Sequence, residues 1–263
     1  MSKIEFLGKD ELIQKVMMKK EFSELLKKDV ELVFEKFDKD EFSDEEKVKL
    51  TRKTLRNIFS GFGGRKILSW SDKDANEILK KHLSTKERHG KYNEIYSRIL
   101  KGLPKKIGVV DLGCGVNGFS YNYFKELNFN VNYLGAEAVG QFVNSTNSFF
   151  KKEKINGVVY HESILDSEKI KKIILKTKTP RVVFLFKVVD ALESFEKNYT
   201  KELLKEIVPF SDRIIISFPT ESWSKRKKFF AKRKWLTDFI KENWNILDDF
   251  EISGERYLVF EKG

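Results

Sequence analysis

Along the first hundred positions apolar residues recur at helical spacing; from about Lys105 onward they gather into short runs at strand spacing. Over residues 10–28, Leu12, Val16, Met17, Phe22, Leu25 and Leu26 follow a period near 3.6 and predict a helix. Ser43-Asp44-Glu45-Glu46 has a capping serine followed by acids, so a second helix should start there and run to about Phe59. The Gly61-Phe62-Gly63-Gly64 cluster ends it, and a further helix is expected over 71–82. Then β-branched and aromatic runs at 107–112, 131–137, 158–161, 181–187 and 213–217 alternate with helical segments starting near Gly118, Gln141, Asp166, Glu196 and Lys227. Five βα units in succession imply a parallel sheet covered by helices on both faces. The tail breaks this rhythm, with strands expected at 244–251 and 256–261 around a turn at Ser253-Gly254. Gly102-Leu103-Pro104 interrupts the helical pattern, so the expectation is an all-helical domain over 1–103 and an α/β domain over 104–263.

Composition narrows the class. Of 263 residues, 40% are apolar and 23 are Phe, enough for a sizeable core. The longest apolar runs, such as Val182-Val183-Phe184-Leu185-Phe186, are strand-sized and far short of the roughly 20 residues of a membrane span. Met1-Ser2-Lys3-Ile4-Glu5 lacks the apolar core of a signal peptide, so a cytoplasmic protein with no membrane partner is expected. A lone cysteine, Cys114, excludes a disulfide framework and a Cys-built metal site, and no metal is expected. The net charge of +11 is unevenly placed. Residues 1–80 carry 18 Lys/Arg against 17 Asp/Glu, leaving 33 against 23 in residues 81–263. The excess lies in the α/β part and suits a polyanionic partner.

The first strand runs into Asp111-Leu112-Gly113-Cys114-Gly115, and a helix follows. Glycines here let the backbone approach a ligand at the carboxyl edge of the sheet, where open α/β folds bind. The second strand ends in Glu137, 26 positions after Asp111, where a carboxylate can accept hydrogen bonds from both hydroxyls of a ribose. The motif is D-x-G-x-G in outline, and the expectation is a turn with no third, helix-packing glycine and no pyrophosphate cradle. That suits S-adenosylmethionine (SAM) better than a dinucleotide. A closing β-hairpin after five βα units is also the layout of class I methyltransferases. Cys114 is expected to be a small buried residue of the turn and not a nucleophile.

Three further segments carry a resemblance. His82-Leu83-Ser84-Thr85-Lys86-Glu87-Arg88, Phe184-Leu185-Phe186-Lys187 followed by Glu193, and Ser217-Phe218-Pro219-Thr220-x-Ser222 occur in this order around the glycine turn. Together they resemble the 16S rRNA guanine-N7 methyltransferases that confer aminoglycoside resistance, over about residues 45–263. The resemblance implies a Rossmann-like class I methyltransferase sheet of five parallel strands plus a C-terminal hairpin, with SAM as cofactor. It implies that Arg88 clamps the methionine carboxylate of SAM through a planar fork. His82 and Ser84 would line the same end and Phe62 would be an aromatic near the cofactor. Asp111, Gly113, Gly115, Glu137, Ile164 and Phe186 complete the implied SAM site. Ser163 stands where the family has an Asp beside adenine, a departure. Lys187 and Glu193 match residues that the family needs for activity.

Which atom is methylated is approached by exclusion. No Asn/Asp-Pro-Pro-aromatic segment follows the fourth strand, no Pro-Cys nucleophile exists, and the Lys-Asp-Lys-Glu arrangement of ribose-methylating enzymes is missing. Guanine N7 has a lone pair and no proton, so its methylation needs alignment more than a base. The stretch 222–234 holds seven basic residues and no acid, with Trp223, Phe229 and Phe230 interleaved. Lys225, Arg226, Lys227 and Lys228 could contact phosphates and Trp223 could stack on a splayed base. Glu221 and Trp223 depart from the family's Lys and Leu in this loop. The expected partner is structured RNA, as rRNA or the small ribosomal subunit, with tRNA or another rRNA position as alternatives and a monomeric enzyme. A small-molecule methyltransferase and a catalytically silent RNA-binding domain are the readings from other classes.

Overall fold

The computed structural model describes residues 8–59, 74–220 and 233–263. Phe62 and the whole of the basic group Trp223, Lys225, Arg226, Lys227 and Lys228 fall outside them, as do residues 71–73 of the expected third helix.

The helical layer opens with α1 (Lys9–Met17), α2 (Lys27–Glu35) and α3 (Asp44–Ile58). The helix expected over 10–28 is therefore broken after Met17. The reason is tertiary: the Gly140 amide donates to the Glu24 carbonyl at 2.9 Å, and Leu25 forms a bridge with Val139. Around Glu24 and Leu25 the backbone bonds to the neighbouring α/β layer instead of continuing a helix. By contrast, α3 starts where its cap demands. The Ser43 side chain accepts from the Glu46 amide and the Glu46 carboxylate accepts from the Ser43 amide, a reciprocal capping box. The helices α4 (Ala75–Lys81), α5 (Leu83–Lys86) and α6 (Tyr92–Ile99) then lead to the sheet.

Among the described residues the sheet has seven strands: β1 (Lys106–Leu112), β2 (Asn130–Glu137), β3 (Gly157–His161), β4 (Arg181–Phe186), β5 (Arg213–Pro219), β6 (Asn245–Ile252) and β7 (Glu255–Glu261). Their order is β3-β2-β1-β4-β5-β7-β6. The first five pair in parallel, while β7 runs antiparallel to both β5 and β6. The parallel strands are covered on both faces, which is why they read as continuous apolar runs. The strand expected to end at Lys187 stops at Phe186, because Lys187 takes a left-handed φ of 58°.

Successive sheet residues feed opposite cores. Val109, Phe184, Phe186 and Tyr257 pack with α6, α7 (Tyr121–Glu126), α8 (Gly140–Lys152) and apolar residues of α1–α4. Val110, Leu112, Val183 and Ile216 pack with α9 (Ser167–Lys176), α10 (Val189–Phe195), α11 (Tyr199–Ile207) and α12 (Lys234–Asn243). The helical layer thus shares a continuous core with one face of the sheet. No described helix is long and apolar enough to cross a membrane.

Candidate active site

A cleft of about 820 Å³, adjoining open solvent included, lies along the carboxyl ends of β3, β2, β1 and β4. Its floor begins at the glycine turn. Gly113 has φ 66° and Gly115 φ 51°, left-handed values that favour glycine. A Cβ on Gly113 would also sit 2.6 Å from Val188 Cγ1, so the turn admits no side chain on the β4 side. The turn carries a third glycine after all. Gly118 completes a G-x-G-x-x-G spacing, and a Cβ there would meet Thr146 Cγ2 at 2.5 Å and Phe150 at 3.0 Å. It packs the short 3-10 segment Asn117–Ser120 directly on α8, so the expected lack of a helix-packing glycine is corrected. Cys114 is buried, and its burial pushes the thiol well above the ordinary range.

At the end of β2, Glu137 turns its carboxylate back onto the turn. One oxygen accepts from the Gly115 amide at 2.7 Å and the other from the Val139 amide at 2.9 Å. Glu137 lines the cleft, and a carboxylate has about four acceptor positions in all. Burial pushes this carboxyl up to about 7 even against its amide donors. The Glu137 side chain is thus aimed and desolvated, as required to accept from a vicinal diol.

Of the other expected residues, His82, Ser84, Gly113 and Gly115 line the cleft with Ser163, Ile164, Phe186 and Lys187. His82 Nδ1 and Ser84 Oγ are 2.8 Å apart. Burial, with Arg88 and Lys187 nearby, brings the His82 imidazole down to about 4, so the ring is neutral at pH 7. Three expected residues do not line the cleft. Asp111 is buried beneath the turn, accepting from Asn117 Nδ2 at 2.8 Å and from the Tyr133 hydroxyl at 2.6 Å. Glu193 accepts from the amides of Asn198 and Thr200 at 2.7 and 3.0 Å, capping α11, whose own N-cap residue makes no side-chain bond. Arg88 is 2% exposed and pairs with Glu255, its Nε lying 3.0 Å from Oε2. It also donates to Asn117 Oδ1 at 3.1 Å and lies 4.7 Å over the Phe186 ring.

Glu255, at the start of β7, was not visible as a site residue in the sequence. It is fully buried and gathers Arg88, the Ser217 hydroxyl and Lys187, whose Nζ is 3.4 Å away and also pairs with Glu87. Burial alone would raise its carboxyl, but Arg88 and Lys187 hold it below the usual carboxylate range. Nothing in Ser253-Gly254-Glu255-Arg256 signals this, because the partners come from residues 88, 187 and 217. Asp29, Ile58 and Phe59 of the helical layer also line the cleft and were equally invisible.

A parallel five-stranded sheet closed by an antiparallel hairpin, with a glycine turn at β1 and a buried acid ending β2, defines a class I methyltransferase. The particular family follows from comparison: the model of the family described as ribosomal RNA methyltransferase (FmrO) matches residues 68–259, and the chain belongs to that family. Among curated proteins it is 22% identical over 197 residues to a 16S rRNA (guanine(1405)-N(7))-methyltransferase of Proteus mirabilis, covering 73% of this chain and 67% of the relative. Among solved structures, the 16S rRNA methylase RmtB superposes with a TM-score of 0.76 at 18% identity, over 97% of this chain and 98% of that one. The 16S rRNA methyltransferase RmtF, solved in complex with S-adenosyl-L-homocysteine, superposes at 0.75 with 19% identity, over 98% and 100%. The fold is therefore shared along nearly the whole chain, helical layer included.

Proposed function

We propose that this chain transfers the methyl group of SAM to N7 of a guanine in 16S-type small-subunit ribosomal RNA. The observation that carries the reading is the Glu137 carboxylate, oriented by two amides at the edge of a cleft that runs along the carboxyl ends of the parallel strands. Membership of the ribosomal RNA methyltransferase family supplies the substrate class, and the name of the Proteus relative supplies the atom.

The residues present fit SAM. Glu137 would accept from the ribose hydroxyls, and the Gly113–Gly115 backbone would pass the sulfur without a side chain in the way. Phe186 and Lys187 would border the methionine end, with Val139, Phe142 and Ile164 as apolar walls. When bound, SAM supplies an electrophilic methyl on a sulfonium. The chain's own part is to align it: N7 carries no proton, so the site needs no base, and neutral His82 together with an ion-paired Lys187 is compatible with that. Arg88 could reach a carboxylate only by sharing its guanidinium with Glu255. Residues 1–103 would cover the SAM site and dock RNA, a reading supported by Asp29, Ile58 and Phe59 in the cleft wall. Lys225, Arg226, Lys227 and Lys228 would contact phosphates and Trp223 would place a base.

Tritiated methyl transfer from SAM to 30S subunits, naked 16S rRNA and bulk tRNA, followed by nucleoside analysis, tests this. Label in 7-methylguanosine of small-subunit RNA is expected. Label on tRNA or in another nucleoside overturns the substrate, and no label on any RNA overturns the reading.

A further inference from the structure

Asp29 is a buried carboxylate of the cleft to which the reading above gives no task. It sits in the first turn of α2, is 2% exposed, and enters the cavity from the helical layer. Its Oδ1 accepts from Ser163 Oγ at 2.7 Å. That hydroxyl itself accepts from the Leu165 amide at 3.1 Å, which commits its proton to Asp29. The other oxygen, Oδ2, takes no hydrogen bond from any described residue. Since Asp29 lines the cleft, this oxygen is an acceptor open to a bound ligand, and burial of the side chain pushes the Asp29 carboxyl up.

The sheet edge says what could donate. Glu137 is the register partner of His161 across β2 and β3, and Ser163 follows two residues later. Along the cleft the order is therefore Lys187 after β4, the glycine turn after β1, Glu137 on β2, and the Ser163–Asp29 pair beyond β3. Neighbouring strands are about 4.8 Å apart, so a nucleoside with its diol on β2 has room for a base over β3. The β4 and β1 side offers a lysine and backbone, suited to an amino-acid tail. The β3 side offers Ile164 and Leu165, apolar surfaces suited to a flat ring.

We propose that Asp29, oriented by Ser163, accepts a hydrogen bond from the exocyclic amine of the adenine of SAM and so sets base specificity from the helical layer. The proposal rests on the SAM reading of the same cleft. Hypoxanthine carries a carbonyl oxygen at that position, which would face the carboxylate acceptor to acceptor.

The test is calorimetric binding of S-adenosylhomocysteine and S-inosylhomocysteine at pH 8 to the wild type and to Asp29→Asn, with the melting temperature of each apo protein as a folding control. The wild type should prefer the adenine ligand by about tenfold or more, the range of a hydrogen bond to a charged group. In Asp29→Asn, whose amide can turn to donate, the ratio should collapse toward unity. A wild type without preference, or a variant that keeps the wild-type ratio, overturns the proposal. A wild type that binds neither ligand overturns the SAM reading as well. Should Asp29→Asn melt without a cooperative transition, Ser163→Ala serves in its place, and an unchanged ratio there also overturns the proposal.

Discussion

Replacing Glu255 by Gln keeps the shape of the side chain and removes one charge from the most buried ionic cluster among the described residues. Glu255 is fully buried between Arg88, 2% exposed, and Lys187, whose side chain is 10% exposed. Removing one partner of a buried pair costs about 3–5 kcal/mol, because the remaining charge is left uncompensated. Lys187 keeps Glu87 as a partner, so the orphaned group is chiefly Arg88 and the lower end, about 3 kcal/mol, is expected. For a chain of this size that is roughly 6–12 °C in melting temperature. In urea the midpoint should fall with an unchanged slope. Pairing Glu255→Leu with Arg88→Met should recover most of the loss, since both charges then leave together. The pH dependence has a definite sign. The folded carboxyl lies below its ordinary value, so its contribution is complete above about pH 4.5 and lost as the pH falls further, and Glu255→Gln should flatten that acid limb. A loss under about 1 kcal/mol for Glu255→Gln, or a double variant no better than the single, would refute the claim that this cluster holds the end of β4 to β7.

Three other outcomes can be checked. The Glu137 carboxyl is pushed up to about 7 and its ionised form is the better acceptor, so S-adenosylhomocysteine affinity should rise by up to about tenfold per pH unit below 7 and level off above it. Calorimetry from pH 5.5 to 8.5 that gives a flat profile would show that the ligand does not use this group, and Glu137→Ala should weaken binding by about 1–3 kcal/mol. Lys187→Ala should lower the methyl-transfer rate far more than S-adenosylhomocysteine affinity, and wild-type turnover would remove the end of β4 from the active centre. Substituting Lys225, Arg226, Lys227 and Lys228 together should weaken RNA binding and lower the log–log salt slope by about one for each phosphate no longer neutralised; a variant with unchanged affinity and slope would show that this stretch is only a solvated surface.

The sequence by itself determined the parts that rest on local chemistry and period. Strand-length apolar runs are best satisfied in a parallel sheet covered on both faces, so five strands were legible to within a residue or two at their ends. The capping box at Ser43 and the acid at the end of β2 were legible because each depends on residues close in the chain or at a strand terminus. The tertiary structure alone decided what depends on residues far apart. A helix pattern over 10–28 gave way because Glu24 and Leu25 bond to the start of α8. Arg88 found Glu255 across 167 positions, and Asp29 found Ser163 across 134. Glu193, expected at the chemistry, caps a helix instead of lining the cleft. A period of 3.6 or 2 tells which face of an element is apolar, but not which other element covers it. Buried charges are paired by whatever the completed fold brings within hydrogen-bond distance, and that proximity has no counterpart in sequence spacing.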